Sequence, residues 1–238
     1  MSWVITGSEK TPVDPYRSQV SLLLHGDGAN GSTTITDSSP TPKTVTAVGN
    51  AQINTTVTDA FGRTGVGVIA FDGSGDQLTA PSSEDFTLGS SGTYTVELWF
   101  YASGAQSSLA VLASTFDNFN TAFTSRWGLV INNVGRLVWY DSAGSGPGSL
   151  SSLAAINTDQ WNHVAVTGSG STVTMWLNGM SQGTMSGGRV YTTTSSLKVG
   201  YVTAAAYFNG YIDDLRITKG IARYTSNFTP PTAPFPDI

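Results

Sequence analysis

The chain has 238 residues, a formal net charge of −5 and no cysteine, with charged residues at only 11%, against about 25% in an average soluble domain. No Lys/Arg cluster gives it the electrostatic footprint of a nucleic-acid binder, and no apolar run approaches the length of a membrane span. A β-sandwich of this length forms a single domain with a core large enough to need no disulfides, so the missing cysteines leave the redox compartment open.

The polar positions are filled by Gly, Ser and Thr, and glycine alone takes 27 of them. Three glutamates (Glu9, Glu84, Glu97) and four lysines are too few for long helices, which favour Ala, Leu, Glu and Lys. The composition predicts an all-β protein with many turns.

Residues 1–19 read as an extended arm. Trp3-Val4-Ile5 is an apolar patch followed by Gly, Ser, Glu, Lys, Pro12 and Pro15, a composition suited to docking on a partner. The arm carries neither the basic region nor the apolar core of a signal peptide, so export by that route is not expected. From Val20 onward strands alternate with turns. Val20–His25 closes in Gly26-Asp27-Gly28, residues 30–45 are polar and turn-rich, and Val66–Phe71 ends in Asp72-Gly73-Ser74-Gly75.

Residues 94–101 form the clearest strand. Tyr94, Val96, Leu98 and Phe100 share one face, and Thr95, Glu97, Trp99 and Tyr101 the other. Large residues on both faces predict a central strand. Trp127–Ile131 and Arg136–Tyr140 flank a hairpin loop at 132–135. Trp161–Thr167 and Val173–Leu177 flank a Gly/Ser turn, and Asn178-Gly179 is the strongest short hairpin signal in the chain. Leu197–Tyr201 and Tyr211–Thr218 are the last strands. The proline-rich tail after Phe228 must be extended and lie outside any sheet. About a dozen strands, with neither strand–helix alternation nor a 20–50-residue repeat, exclude a parallel α/β sheet, a propeller and a solenoid.

Six segments in order carry a family resemblance: Val20 to Gly28, Phe71 to Asp76, Tyr94 to Phe100, Trp161 to Val166, Met175 to Gly179, and Phe208 to Ile217 running on to Ala222-Arg223-Tyr224. Over roughly residues 20–235 the chain resembles the laminin-G-like, concanavalin A-like jelly-roll family. This implies two antiparallel sheets packed face to face, a sandwich spanning 20–238. Versions with this Leu-Leu-Leu-His start and this Tyr-Thr-Ser-Asn-Phe-Thr-Pro-Pro ending resemble those of phages and their bacterial hosts, where the domain is usually a sugar-binding or particle-surface module. The expectation is a non-enzymatic virion-surface subunit (capsid decoration, head fibre or tail accessory). Trp3, Val4 and Ile5 would contact other virion proteins or a second copy of the chain, and glycans are a further expected ligand. A stand-alone carbohydrate-binding module is the alternative, and a glycoside hydrolase ranks last.

Retaining glycosidases need two carboxylates about 5 Å apart. The related glucanases carry two glutamates four apart on one strand, with an aspartate between. Glu97 has Thr93, Thr95, Trp99 and Tyr101 around it, so the pair is absent. His163 reads either as a catalytic base or as a half-buried histidine bonding a neighbouring strand. No Gly-x-Ser-x-Gly elbow accompanies it, and His25 and His163 lack zinc-site spacing.

Strict alternation puts Asp213 on a face with Leu215 and Ile217, where a carboxylate needs a partner. The resemblance implies structural Ca²⁺ held by Asp213 and by backbone carbonyls near Asp27 and Gly73. The other reading is that Asp213 caps backbone N–H groups or pairs with Arg216 or Arg223. Loop aromatics with adjacent polar groups mark the expected sugar contacts: Phe119, Asn120, Trp139, Tyr140 and Tyr207.

Overall fold

A computed structural model describes residues 13–88, 92–106, 109–116, 126–142, 147–186, 196–202 and 207–238. Among these, sixteen strands, numbered in chain order, form two eight-stranded antiparallel sheets. The first sheet runs β14 (Met180–Ser186), β13 (Thr172–Leu177), β12 (Trp161–Ser169), β7 (Tyr94–Ala102), β16 (Asn209–Lys219), β5 (Val68–Asp72) and β4 (Gln52–Asn54). The second half of β16 pairs instead with β1 (Val20–Leu24). The second sheet runs β11 (Pro147–Ala155), β10 (Arg136–Ser142), β9 (Arg126–Ile131), β8 (Ala110–Ser114), β15 (Leu197–Val199), β6 (Gln77–Ala80), β3 (Val45–Val48) and β2 (Thr34–Ile35). This is the expected two-sheet jelly-roll sandwich.

The inward faces follow from alternation. Tyr94, Val96, Leu98 and Phe100 of β7 enter the core between the sheets, and so do Ile69 and Phe71 of β5. As expected, β7 is central, between β12 and β16. Trp127 and Trp139 stack at 5.3 Å, Tyr94 lies against Trp139 at 6.0 Å, and the Trp127 indole N–H donates to the Phe86 carbonyl at 2.9 Å. The polar end of a large ring is thereby satisfied inside the core.

The Asn178-Gly179 turn behaves as its sequence predicts. Both residues take positive φ, 50° and 78°, the two-residue hairpin conformation that matches strand twist. The tail also passes close by: Phe228 N–H donates to the Gly179 carbonyl at 2.9 Å, and a Cβ at 179 would lie 1.9 Å from the Phe228 oxygen.

Strands β2, β3, β4, β6, β8, β11 and β14 go beyond those read from sequence. Several are short or polar, such as Gln52–Asn54 and Met180–Ser186, and only their neighbours make them strands. The expected boundary at residue 19 is also corrected. Asp14, placed in the arm, is buried and bonded to Arg216 and Arg223, so residues from Asp14 onward pack on the sandwich. Trp3, Val4 and Ile5 lie outside the described residues. No helix among the described residues is long and apolar enough to cross a membrane.

Candidate functional site

The outer face of the first sheet is divided into three zones. Along β7 its outward residues are Thr95, Glu97, Trp99 and Tyr101: the first two lie under one cover, Trp99 under a second, and Tyr101 in the open.

The C-terminal tail covers the first zone. The Thr95 hydroxyl donates to the Ile221 carbonyl (2.9 Å), and Phe235 N–H donates to Asp214 (2.6 Å). Phe228 stacks on Tyr224 at 3.6 Å, and the Arg216 guanidinium lies 3.6 Å from the Phe235 ring centroid. Beneath the tail, Glu97 is fully buried. It accepts from Arg216 Nε (3.0 Å) and Tyr224 Oη (2.7 Å), with Arg216 Nη2 at 2.8 Å. Asp14 accepts from Arg223 Nη2 (2.7 Å) and Arg216 Nη1 (3.2 Å). Burial alone would raise the Glu97 carboxyl, but Arg216, His163 and Arg223 outweigh it and hold it at about 2. Burial and the adjacent Glu97 charge push the Tyr224 hydroxyl well up. Glu97 is thus a strut that is charged at neutral pH, and a carboxyl held so low is a poor proton donor for the acid step of a glycosidase. His163 is fully buried rather than half-buried. Its Nε2 lies 3.6 Å from Glu97, and Trp99, Tyr224, Phe228 and Phe235 surround its ring.

The loop between β4 and β5 covers the second zone. Phe61 meets Trp99 edge-on at 5.9 Å, and Asp213 accepts the Ala60 N–H at 3.2 Å. Here strict alternation fails. A bulge between Asp213 and Arg216, with Asp214 at φ 48°, inserts one extra residue. Ile212, Leu215 and Ile217 face the core while Asp213 faces outward opposite Trp99, because a bulge reverses the side on which later residues emerge. Burial, then Asp214, Asp59 and Asp27, push the Asp213 carboxyl up to about 8. Although burial disfavours the charge of His25, the Asp214 carboxylate bonded to its Nδ1 raises its pKa above the ordinary value.

The calcium ligands expected from sequence do not converge. Gly67, just before β5, packs on the Gly26 carbonyl and on Asp27, and Asp213 lies at that same end, one residue past the Ile212–Ile69 pair. Gly73 follows the other end of β5, against Asn209, about 16 Å further along at the usual rise of a strand. Among the described residues no group of three or more His, Asp or Glu is arranged to hold a metal ion. Asp213 instead caps a backbone N–H, the second of the two roles expected for it.

The third zone is open. Register aligns Trp161 of β12, Tyr101 of β7 and Tyr211 of β16 in one row that continues through Ala70 of β5 to Gln52 of β4. Tyr101 meets Trp161 edge-on at 5.8 Å and Tyr211 at 5.7 Å. Two adjoining clefts, of about 580 and 450 Å³, share Ser103 and Tyr211. Asn50, Gln52, Asn54, Asp72 and Asn209 line the first, and Val57, Thr58, Asp159 and Trp161 the second. Four inter-strand steps from β12 to β4 make the groove about 19 Å long. Asp72 accepts from Ser74 N–H (2.8 Å), Asp159 accepts from Gly104 N–H (2.9 Å), and the Trp161 indole N–H donates to the Thr58 carbonyl (3.0 Å). Asp76 is buried under the groove, accepting the N–H groups of Asn50 (2.5 Å) and Asp72 (2.8 Å).

The sugar contacts expected from loops fall elsewhere. Trp139 is fully buried in the core stack, so it cannot meet a ligand. Tyr140, the next residue, emerges on the opposite face of the second sheet and packs on Val111, Phe116, Val130, Val138 and Val202. Tyr207 is half-buried and stacks on Tyr201 at 4.6 Å, outside the groove. Phe119 and Asn120 lie outside the described residues. The groove residues carry one readable signal: outward Tyr101 and Tyr211 sit on strands whose inward neighbours are apolar.

Fold and groove together define a jelly-roll domain with an open, aromatic-floored cleft on one sheet. The chain belongs to the concanavalin A-like lectin/glucanases superfamily, whose laminin-G-type model matches residues 72–222. No curated protein sequence matches it. Among solved structures it is similar to the binding domain of the paraclostridial mosquitocidal protein 1 (14% identity, TM-score 0.67, 88% of this chain and 50% of that one). It is also similar to the receptor-binding domain of botulinum neurotoxin D (16%, 0.64, 89% and 51%). A third is domain 4 of an extracellular arabinanase from Geobacillus stearothermophilus, solved with arabinotriose (19%, 0.61, 85% and 93%). The chain spans about half the length of the two toxin domains and nearly all of the arabinanase domain. At these identities the likeness is one of fold.

Proposed function

We propose that the chain is a non-catalytic carbohydrate-binding protein whose ligand lies in the groove floored by Trp161, Tyr101 and Tyr211. The carrying observation is that row of three adjacent aromatic rings flanked by the amides of Gln52, Asn54 and Asn209. Rings offer flat apolar surface to the C–H face of a sugar, and amides both donate to and accept from hydroxyls. Neighbours of the same fold support the reading: two are toxin binding domains, and a third is an arabinanase domain solved with arabinotriose. Two of the carboxylates nearby serve other ends: Glu97 is locked to arginines, and Asp76 is spent on backbone N–H groups.

The setting we propose is the surface of a phage particle, attached through the segment that contains Trp3, Val4 and Ile5. Its support is the order of family-like segments and their phage-type start and ending. A stand-alone binding module is the alternative, on the same fold as the arabinanase domain solved with arabinotriose. Identification of the protein in purified particles by mass spectrometry separates the two.

For the groove, a broad glycan array followed by calorimetric titration should give dissociation constants of about 10 μM–1 mM, or roughly −7 to −4 kcal/mol. Tyr211→Ala should weaken binding about tenfold through loss of ring contact while the melting temperature holds. An array with no signal, or a Tyr211→Ala variant that binds like the wild type, refutes the assignment.

A further inference from the structure

We infer that the groove selects uncharged oligosaccharides and rejects glycans that carry carboxylates. This rests on the proposed carbohydrate reading and adds the ligand class. Its basis is the charge of the lining. The two clefts contain three carboxylates, Asp72, Asp76 and Asp159, and no Lys, Arg or His among their lining residues. Asp72 and Asp159 are exposed, one in each cleft.

The carboxylates are fixed in place. Asp72 accepts from Ser74 N–H on one oxygen and from the Asn50 amide (3.2 Å) on the other. Asp159 holds a positive φ of 55°, its own N–H donating to the Ala102 carbonyl at 2.9 Å while its side chain accepts from Gly104. A carboxylate accepts up to about four hydrogen bonds, so both retain lone pairs for sugar hydroxyls. An acidic sugar brings a second anion to an anionic wall and finds no cation there. Carboxylate recognition elsewhere relies on the arginine fork or a lysine. In this protein Arg216 and Arg223 are committed to Asp14 and Glu97 beneath the tail.

The groove length adds a second element. With rings at the β12–β7–β16 end and amides at the β5–β4 end, the 19 Å row matches a short chain lying across the strands better than a single sugar. Longer neutral oligomers should therefore bind more tightly than their monomers.

The test is titration of the full chain with lactose, arabinotriose and cellohexaose, and with 3′-sialyllactose and hexagalacturonate, at low and at physiological ionic strength. At least one neutral sugar should bind, and the acidic ones should bind at least about tenfold more weakly, with the gap narrowing as salt screens the wall. Asp72→Asn combined with Asp159→Asn keeps the acceptor oxygens, and asparagine tolerates positive φ. The double variant should shrink the gap severalfold without lowering the melting temperature. Acidic sugars binding as well as neutral ones overturn the selectivity and leave the carbohydrate reading standing. An unchanged gap in the double variant overturns the assignment of selectivity to these two residues. Failure of every sugar to bind overturns both proposals.

Discussion

Glu97→Gln removes the charge at the centre of the buried network and keeps the side chain's shape. The wild-type carboxylate is fully buried, with Arg216 Nη2 at 2.8 Å, Arg216 Nε at 3.0 Å and Tyr224 Oη at 2.7 Å. Breaking a buried pair typically costs about 3–5 kcal/mol, because the partner charge is left uncompensated. The protonation equilibrium gives a similar figure. A carboxyl lowered from 4.5 to about 2 corresponds to roughly 3 kcal/mol at about 1.4 kcal/mol per unit. For a chain of this size 1 kcal/mol moves the melting temperature by about 2–4 °C, so the variant should melt about 6–20 °C lower at pH 7.

The sign of the pH dependence is set by the depressed pKa. The contribution of Glu97 is fully present above pH 4.5 and is lost as pH falls toward 2. The gap between wild type and variant should therefore close over that window. Circular-dichroism melts at pH 7 and pH 2.5, with urea unfolding at 25 °C, measure both quantities. A variant within 2 °C of wild type at pH 7, or a gap that persists at low pH, would refute this account of the network.

Asp213→Asn should stabilise by about 1–3 kcal/mol at pH 8 and by little at pH 4, read by melting across pH. The raised carboxyl is neutral in the folded state below about 8, so the wild type loses stability as pH rises through 4–8 while asparagine does not titrate. Calcium added to chelated protein should leave the melting curve unmoved, because Asp27, Gly73 and Asp213 do not converge. Asp14→Ala should cost about 3 kcal/mol by uncovering Arg223 and Arg216. Deleting residues 1–19 should lower the melting temperature at least as much, and a truncated protein that melts like the full chain would restore the boundary at residue 19.

Local pattern was enough for what depends on near neighbours. Alternation in 94–101 assigned the inward Tyr94, Val96, Leu98 and Phe100, the Asn178-Gly179 pair marked its hairpin, and the prolines kept the tail out of the sheets. The missing glutamate beside Glu97 already argued against the glucanase mechanism. Each of these rests on backbone sterics or a period of two, which the chain carries in consecutive residues. Only the tertiary structure decided which strands are neighbours. Trp161, Tyr101 and Tyr211 become one surface because β12, β7 and β16 pair in that register, although they are far apart in sequence. One inserted residue at Asp214 turned Asp213 outward, and the length of β5 put Gly73 at the far end of that strand from Asp27 and Asp213. Trp139 and Tyr140 made an attractive sugar-stacking pair in sequence, yet the pleat sends one into the core and the other to the opposite face. Asp14 shows the same limit, since a carboxylate in a proline-flanked arm gives no sign that two arginines more than two hundred residues later will bury it. Burial and pairing are properties of the packed sheets, and side-chain type along the chain constrains them without choosing among the arrangements.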